Sequence, residues 1–127
     1  MSSEAISQNN RVGLPSHHDK YWIAFSAIEQ TDSNFVQRLY NYFGDIEMAF
    51  NSTLQDLSQI DGLSVKRAET FLRERSKINP EKALDEVVRK SISFLTFEDE
   101  KYPYMLKNIS DPPMVLYYKG DLDSCNL

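Results

Sequence analysis

The side chains best suited to bind a ligand lie in one turn and in the helix predicted after it. The set comprises Gly62, Ser64, Lys66, Arg67 and Arg73. Backbone amides at the start of a helix can hold a phosphate, and small residues let the phosphate approach the backbone. The pattern indicates either a weak phosphate contact or a helix-capping turn whose cations are merely solvated.

The charge distribution bears on this choice. Five basic residues stand against two acidic ones between residues 64 and 77, which gives that segment +3 and leaves -8 for the rest of a chain of net charge -5. Affinity for nucleic acid comes largely from Lys and Arg displacing counterions. Asp61 adds a negative charge beside the turn. The sequence therefore favours the capping interpretation, with little or no DNA binding by this chain.

Other polar side chains suggest no further chemistry. His17 and His18 have no acidic or cysteine neighbour at ligand spacing, so we predict solvated histidines and no metal site. The acidic run from Glu98 to Glu100 is predicted to be a solvated loop. Because no nucleophile with a base, paired carboxylates or metal cluster is recognisable, we predict no catalytic residues, no cofactor and no enzymatic activity.

The chain has the features of a cytoplasmic protein. It has no apolar run of about 18 residues or more, which a membrane span would need. Its first 16 residues lack the apolar region of a secretory signal. The single cysteine, Cys125, fits a reducing compartment.

Apolar residues at helical spacing predict a mainly α fold. Asp19 is predicted to cap a central helix that is apolar nearly all round, and a stripe from Phe35 to Phe43 predicts a second helix ended by Gly44. Residues 46–50 are predicted to form a turn. Ser52 and Gln55 have capping-box spacing ahead of a short third helix.

Two further helices are predicted after that. Ser64 caps the basic helix, and Asn79 with Pro80 begins the next one. The residues predicted to face the core are Val65, Ala68, Phe71, Leu72 and Ile78 in the basic helix, and Ala83, Leu84, Val87 and Val88 in the helix that follows.

The pattern changes to that of strands near the end of the chain. Ile92 to Phe97 and Met114 to Tyr118 are short apolar runs separated by turn residues. Two strands with exposed edges recruit further strands. We therefore predict that they belong to the sheet of a further domain, or that in isolation they pair between chains to form a homodimer.

The segment FLTFEDEKYPYMLKNISDPPMVLYYKGDL resembles the corresponding part of the DNA-processing protein A (DprA/Smf) family. The shared landmarks are Tyr102, Pro103, Asp111, Pro112, Pro113 and Gly120, which we interpret as architectural. Upstream, YWIAFSAI, FVQRLYNYFGDIEMAF and IDGLSVKRAETFL are similar to the family's N-terminal helices. The resemblance covers nearly the whole chain beyond residue 19.

The resemblance implies a sterile-alpha-motif-like or helix-hairpin-helix-like domain over residues 19–90. A flexible tail is predicted to precede it over residues 1–18. A strand-containing linker, residues 91–127, would lead into a Rossmann-like domain that this chain lacks. A helix-hairpin-helix turn normally carries two glycines; here Gly62 is kept, Ser64 stands in the second position, and the earlier turn with Glu29 and Asp32 has no glycine.

The resemblance also implies a function. Full-length family members bind incoming single-stranded DNA during natural transformation (competence) and help to load RecA onto it. This chain would then be an accessory N-terminal module that acts through protein contacts or domain positioning. The alternative is a self-sufficient helix-hairpin-helix module that binds the DNA phosphate backbone through the turn from Gly62 to Arg67.

Overall fold

The computed structural model describes residues 16–29 and 31–118, and those ranges contain seven α-helices and two β-strands. The helices are α1 (Asp19–Ser26), α2 (Ser33–Phe43), α3 (Ile46–Phe50), α4 (Leu54–Leu57), α5 (Val65–Arg75), α6 (Pro80–Arg89) and α7 (Tyr104–Lys107), and the strands are β1 (Ser93–Thr96) and β2 (Val115–Tyr118). The predicted mainly α fold with a short strand extension is confirmed. Most of the predicted tail lies outside the described ranges. Within them, no helix combines the length and apolar character needed to cross a membrane.

Helix α1 lies at the centre of the core. Its residues from Trp22 to Phe25 are at most 3% exposed, although they point in all directions around the helix. This is possible because α3, α6 and β2 all pack against α1. Four consecutive residues that are buried on different sides of a helix must all be apolar, which is the pattern from Trp22 to Phe25.

Four phenylalanines from four helices form the aromatic part of the core. Phe71 of α5 stacks on Phe25 of α1, with ring centroids 5.5 Å apart and an interplanar angle of 5°. Phe35 of α2 and Phe50 of α3 also pack against the Phe71 ring, at centroid distances of 5.5 and 6.4 Å. The helix that carries the predicted ligand-binding cations is therefore anchored through Phe71.

The predicted turn at residues 46–50 is wrong, because this segment is helix α3. Asp45 has extended backbone, and its carboxylate accepts hydrogen bonds from the amides of Glu47 and Met48 at 2.7 and 3.2 Å. An aspartate in this position satisfies the free amides at a helix start. Gly44, with φ +75°, ends α2 as predicted and allows the next helix to begin at once.

The capping box lies one residue later than predicted. Thr53 and Asp56 form it, rather than Ser52 and Gln55. The Ser52 hydroxyl donates instead to the Ala49 carbonyl at 2.9 Å and is buried against the end of α3. The serine side chain is thus engaged in ending one helix and is unavailable to start the next.

Asp19 occupies the first turn of α1 rather than the cap position. Its carboxylate accepts hydrogen bonds from the amide and hydroxyl of Ser16, at 2.8 and 3.0 Å. The cap position belongs to His18, whose backbone is already helical and which makes no capping hydrogen bond through its side chain. Asp19 therefore stabilises the turn before the helix.

Two residues predicted to face the core are exposed. Val65 is 58% exposed because it is the first residue of α5 and projects beyond the core. Val88 is 48% exposed, and no residue of α6 is fully buried. Since successive helix residues are about 100° apart around the axis, packing Val87 against the core turns Val88 towards water.

The two strands pair with each other and pack on the helices. They are antiparallel, and Ser93 lies opposite Tyr118. Phe94 and Val115 from this sheet, and Met114 immediately before β2, belong to the same buried cluster as residues of α1. A homodimer formed by strand addition would use the outer edges of this sheet, and it stays a prediction.

Candidate functional site

The turn before α5 has the backbone geometry that the sequence indicated. Gly62 has φ +81°, a conformation that side-chain-bearing residues rarely adopt. Its carbonyl accepts a hydrogen bond from Arg38 of α2 at 3.0 Å. The predicted cap is confirmed, since the Ser64 hydroxyl accepts from the Arg67 amide at 3.1 Å. One of the amides that a phosphate would use is therefore already occupied.

An ion pair between Arg67 and Asp32 connects the start of α5 to the start of α2. The Arg67 guanidinium lies over the Phe35 ring, 4.9 Å from its centroid, and 3.8 Å from the Asp32 carboxylate. Asp32 in turn caps α2 by accepting from the Phe35 amide at 2.8 Å. Arg67 is still about half exposed, so it serves packing on one side and faces water on the other.

The other cations of α5 differ in their partners. Arg75 donates to the Phe50 and Ser52 carbonyls at 2.7 and 2.6 Å, and partial burial lowers the pKa of its guanidinium. Arg73 is exposed and lies 3.7 Å from Glu74. Among the described residues, Lys66 has no carboxylate partner, and it is exposed. The structure thus brings Gly62, Ser64, Lys66 and Arg67 together at one turn, whereas Arg73 lies two helical turns further on.

A second polar centre lies where the sequence indicated only a solvated loop. Glu98, two residues after the end of β1, accepts hydrogen bonds from the Trp22 indole at 2.9 Å and from the Tyr40 hydroxyl at 2.6 Å. Its carboxylate also lies 3.3 Å from His18. Burial, followed by the hydrogen bond and negative charge of Glu98, raises the pKa of Tyr40 to about 12.

Glu98 does lie in an exposed loop, as predicted, but the prediction missed the hydrogen bonds that its carboxylate accepts from Trp22 and Tyr40. A fully buried tryptophan in an otherwise apolar helix needs an acceptor for its indole N–H. That requirement was the one signal in the sequence that a polar partner lies near Trp22. It did not indicate which acidic residue would supply the oxygen. Asp99 also has a local role, since its carboxylate accepts from the Thr96 amide at 2.8 Å.

Most of the landmark residues shared with the family lie in the loop between the strands. Tyr102 is buried and donates through its hydroxyl to the Pro113 carbonyl at 2.7 Å, and burial raises the pKa of this tyrosine. Pro103 immediately precedes α7, and Pro112 is buried. Asp111 accepts a hydrogen bond from the Ser33 hydroxyl at the start of α2. Gly120 lies outside the described residues.

The same segment carries the match to known proteins. The family model described as DNA recombination-mediator protein A matches residues 93–127, which begin at the first residue of β1. The protein named Smf from Synechocystis sp. (strain ATCC 27184 / PCC 6803 / Kazusa) is 35% identical over 110 residues, or 87% of this chain. The chain belongs to the DprA/Smf family. It spans 28% of the length of the Synechocystis Smf protein. No solved structure matches it.

The strands that begin the family match pack against the upstream helices. The match to DprA/Smf starts with β1, and the buried residues of that strand pair contact helices contributed by the upstream half of the chain. The helical part and the family-matched part therefore share one core.

Proposed function

We propose that this chain is the N-terminal accessory module of a DprA/Smf DNA-processing protein and that it acts by positioning the segment that follows β2 or through protein contacts. The shared core is the observation that carries this proposal. Phe94, Met114 and Val115 are buried together with residues of α1. This packing fixes the direction in which the chain leaves β2 relative to the helices.

The loop between the strands supports the same role. Glu98 joins it to α1 and α2 through Trp22 and Tyr40, and Asp111 joins its far end to the start of α2 through Ser33. Several hydrogen bonds with a common framework restrict motion more than isolated bonds do. The strand pair from which a following domain would continue is therefore held to the helices by two attachments in addition to its buried side chains.

In this proposal the complete protein binds single-stranded DNA and loads RecA during natural transformation, in the cytoplasm and without catalysis. The family name DNA recombination-mediator protein A supports a role in DNA processing. The binding surfaces for DNA and RecA would lie in the part of the protein that this chain does not span. The chain itself contributes attachment and orientation.

A weak DNA contact at the hairpin is the second candidate function. The exposed Lys66 beside the half-exposed Arg67 and the positive-φ Gly62 favours it. Three features oppose it: Ser64 occupies an amide, Asp32 neutralises part of the Arg67 charge, and the net charge of the chain is -5.

Fluorescence anisotropy of a labelled single-stranded oligonucleotide distinguishes these candidates. We expect no saturable binding by this chain at near-physiological salt, and at most feeble binding at low salt, because phosphate binding depends on counterion release. The variant Lys66→Ala/Arg67→Ala should behave like the unmodified chain. Lys82→Ala/Arg89→Ala, which removes the same charge from exposed residues of α6, is the matched control.

The opposite pattern would establish the hairpin as a phosphate site. It would consist of binding that weakens with salt, falls at least several-fold in Lys66→Ala/Arg67→Ala and is kept in Lys82→Ala/Arg89→Ala. Circular dichroism of each variant should first show that the fold is intact.

A further inference from the structure

Folding brings metal-ligating side chains together that are far apart in the sequence. His18 precedes α1, whereas Asp45 and Glu47 lie at the start of α3. Each offers one ligand atom, and these atoms all lie within 4.8 Å of one another. The three side chains are 36%, 37% and 39% exposed, so an ion can reach them from water. We propose that His18, Asp45 and Glu47 bind a divalent cation of the zinc type.

The donor set selects the class of cation. Imidazole nitrogen combined with carboxylate oxygen suits zinc and its neighbours, whereas magnesium and calcium prefer oxygen alone. Tetrahedral zinc with bonds of about 2.0–2.2 Å places its donors about 3.3 Å apart. The His18 ring nitrogen Nε2 and the Asp45 oxygen lie 3.9 Å apart. Small rotations of exposed side chains would close the remaining distance.

Each proposed ligand is already oriented by a second partner. The other ring nitrogen of His18, Nδ1, lies 3.3 Å from Glu98. One oxygen of Asp45 is held by two backbone amides of α3, and Glu47 accepts from the Tyr21 hydroxyl at 3.3 Å. These contacts leave His18 Nε2 near Asp45 Oδ2, with a ligand atom of Glu47 within 4.8 Å of both side chains' ligand atoms. Metal-binding histidines typically have such a carboxylate behind the ring, because it fixes the tautomer and the orientation.

The local charge favours a dication. Asp45, Glu47 and Glu98 place three carboxylates around the imidazole, and no Lys or Arg forms an ion pair with any of them among the described residues. His17 contacts Glu47 from outside this set, with its Nε2 2.8 Å from the carboxylate. Three protein ligands and a water molecule would complete a tetrahedral site.

Isothermal titration calorimetry of the chelator-treated chain with zinc chloride tests this proposal. The visible absorption spectrum of the cobalt(II)-substituted chain reports the ligand geometry. We expect one equivalent of zinc to bind, and cobalt to give the intense visible bands of a tetrahedral site. Asp45→Asn retains an oxygen for the α3 amides and Glu47→Gln retains one for Tyr21, so both should fold normally. Each of these variants, like His18→Ala, should weaken zinc binding at least tenfold.

Two controls make the result specific. Glu69→Gln removes an exposed carboxylate from α5, and Cys125→Ser removes the single thiol, so neither should change zinc affinity. The proposal is overturned if the unmodified chain binds no zinc, or if zinc binding survives in Asp45→Asn and Glu47→Gln. Loss of binding in Cys125→Ser alone would also overturn it, because the thiol would then be the ligand.

Discussion

Replacing Phe71 with alanine is expected to lower the free energy of unfolding by about 3–5 kcal/mol. Phe71 is 1% exposed, stacks on Phe25 and packs against two further rings, so its removal leaves a cavity that rigid neighbours cannot fill. A domain of this size has about 5–15 kcal/mol of stability in total, and the variant should be close to unfolding. Urea unfolding followed by the fluorescence of Trp22, the single tryptophan, measures the change.

Val65→Ala is the matched control for this experiment. Val65 lies on the same helix as Phe71 but is 58% exposed, so its truncation should change the free energy of unfolding by less than about 0.5 kcal/mol. Equal effects of the two substitutions would contradict the packing described for α5.

Replacing Glu98 with alanine is expected to destabilise the chain by about 1–3 kcal/mol, measured in chelator-containing buffer. The substitution leaves the fully buried Trp22 indole without its acceptor and also removes the partner of the Tyr40 hydroxyl. A buried donor that loses its partner incurs its full desolvation penalty, which exceeds the net gain from a typical hydrogen bond. The Trp22 emission should shift as its surroundings change.

Two further variants separate the hydrogen bonds from the general effect of charge. Glu98→Gln retains an acceptor oxygen and should lose less stability than Glu98→Ala. Glu100→Ala removes an exposed acidic residue from the same loop and should be nearly neutral. If Glu98→Ala and Glu100→Ala unfold at the same urea concentration, Glu98 is a solvated residue after all.

The helices could be predicted from the sequence because their information is local. Gly44, Ser64, Asn79 and Pro80 occupy the terminal positions that their backbone preferences indicate. One of the errors arose where neighbouring residues compete for one role. Ser52 and Thr53 are both good caps, and burial of Ser52 against α3 decides between them.

The long-range polar contacts between side chains could not be predicted, because they join residues that are distant along the chain. Glu98 contacts Trp22 and Tyr40 across 76 and 58 positions, and His18 meets Asp45 through the packing of α1 on α3. Sequence patterns report the face of one helix at a time. The relative placement of two helices depends on the fit of all their side chains together.

Native-state hydrogen exchange tests most directly whether the helices and the family-matched strands form one unit. The Phe97 amide donates to the Met114 carbonyl at 2.9 Å across the strand pair, and the account predicts that it exchanges with the same opening free energy as the slowest amides of α1. Exchange of the β1 and β2 amides through a separate opening of much lower free energy, with α1 and α5 still protected, would contradict the proposed positioning role.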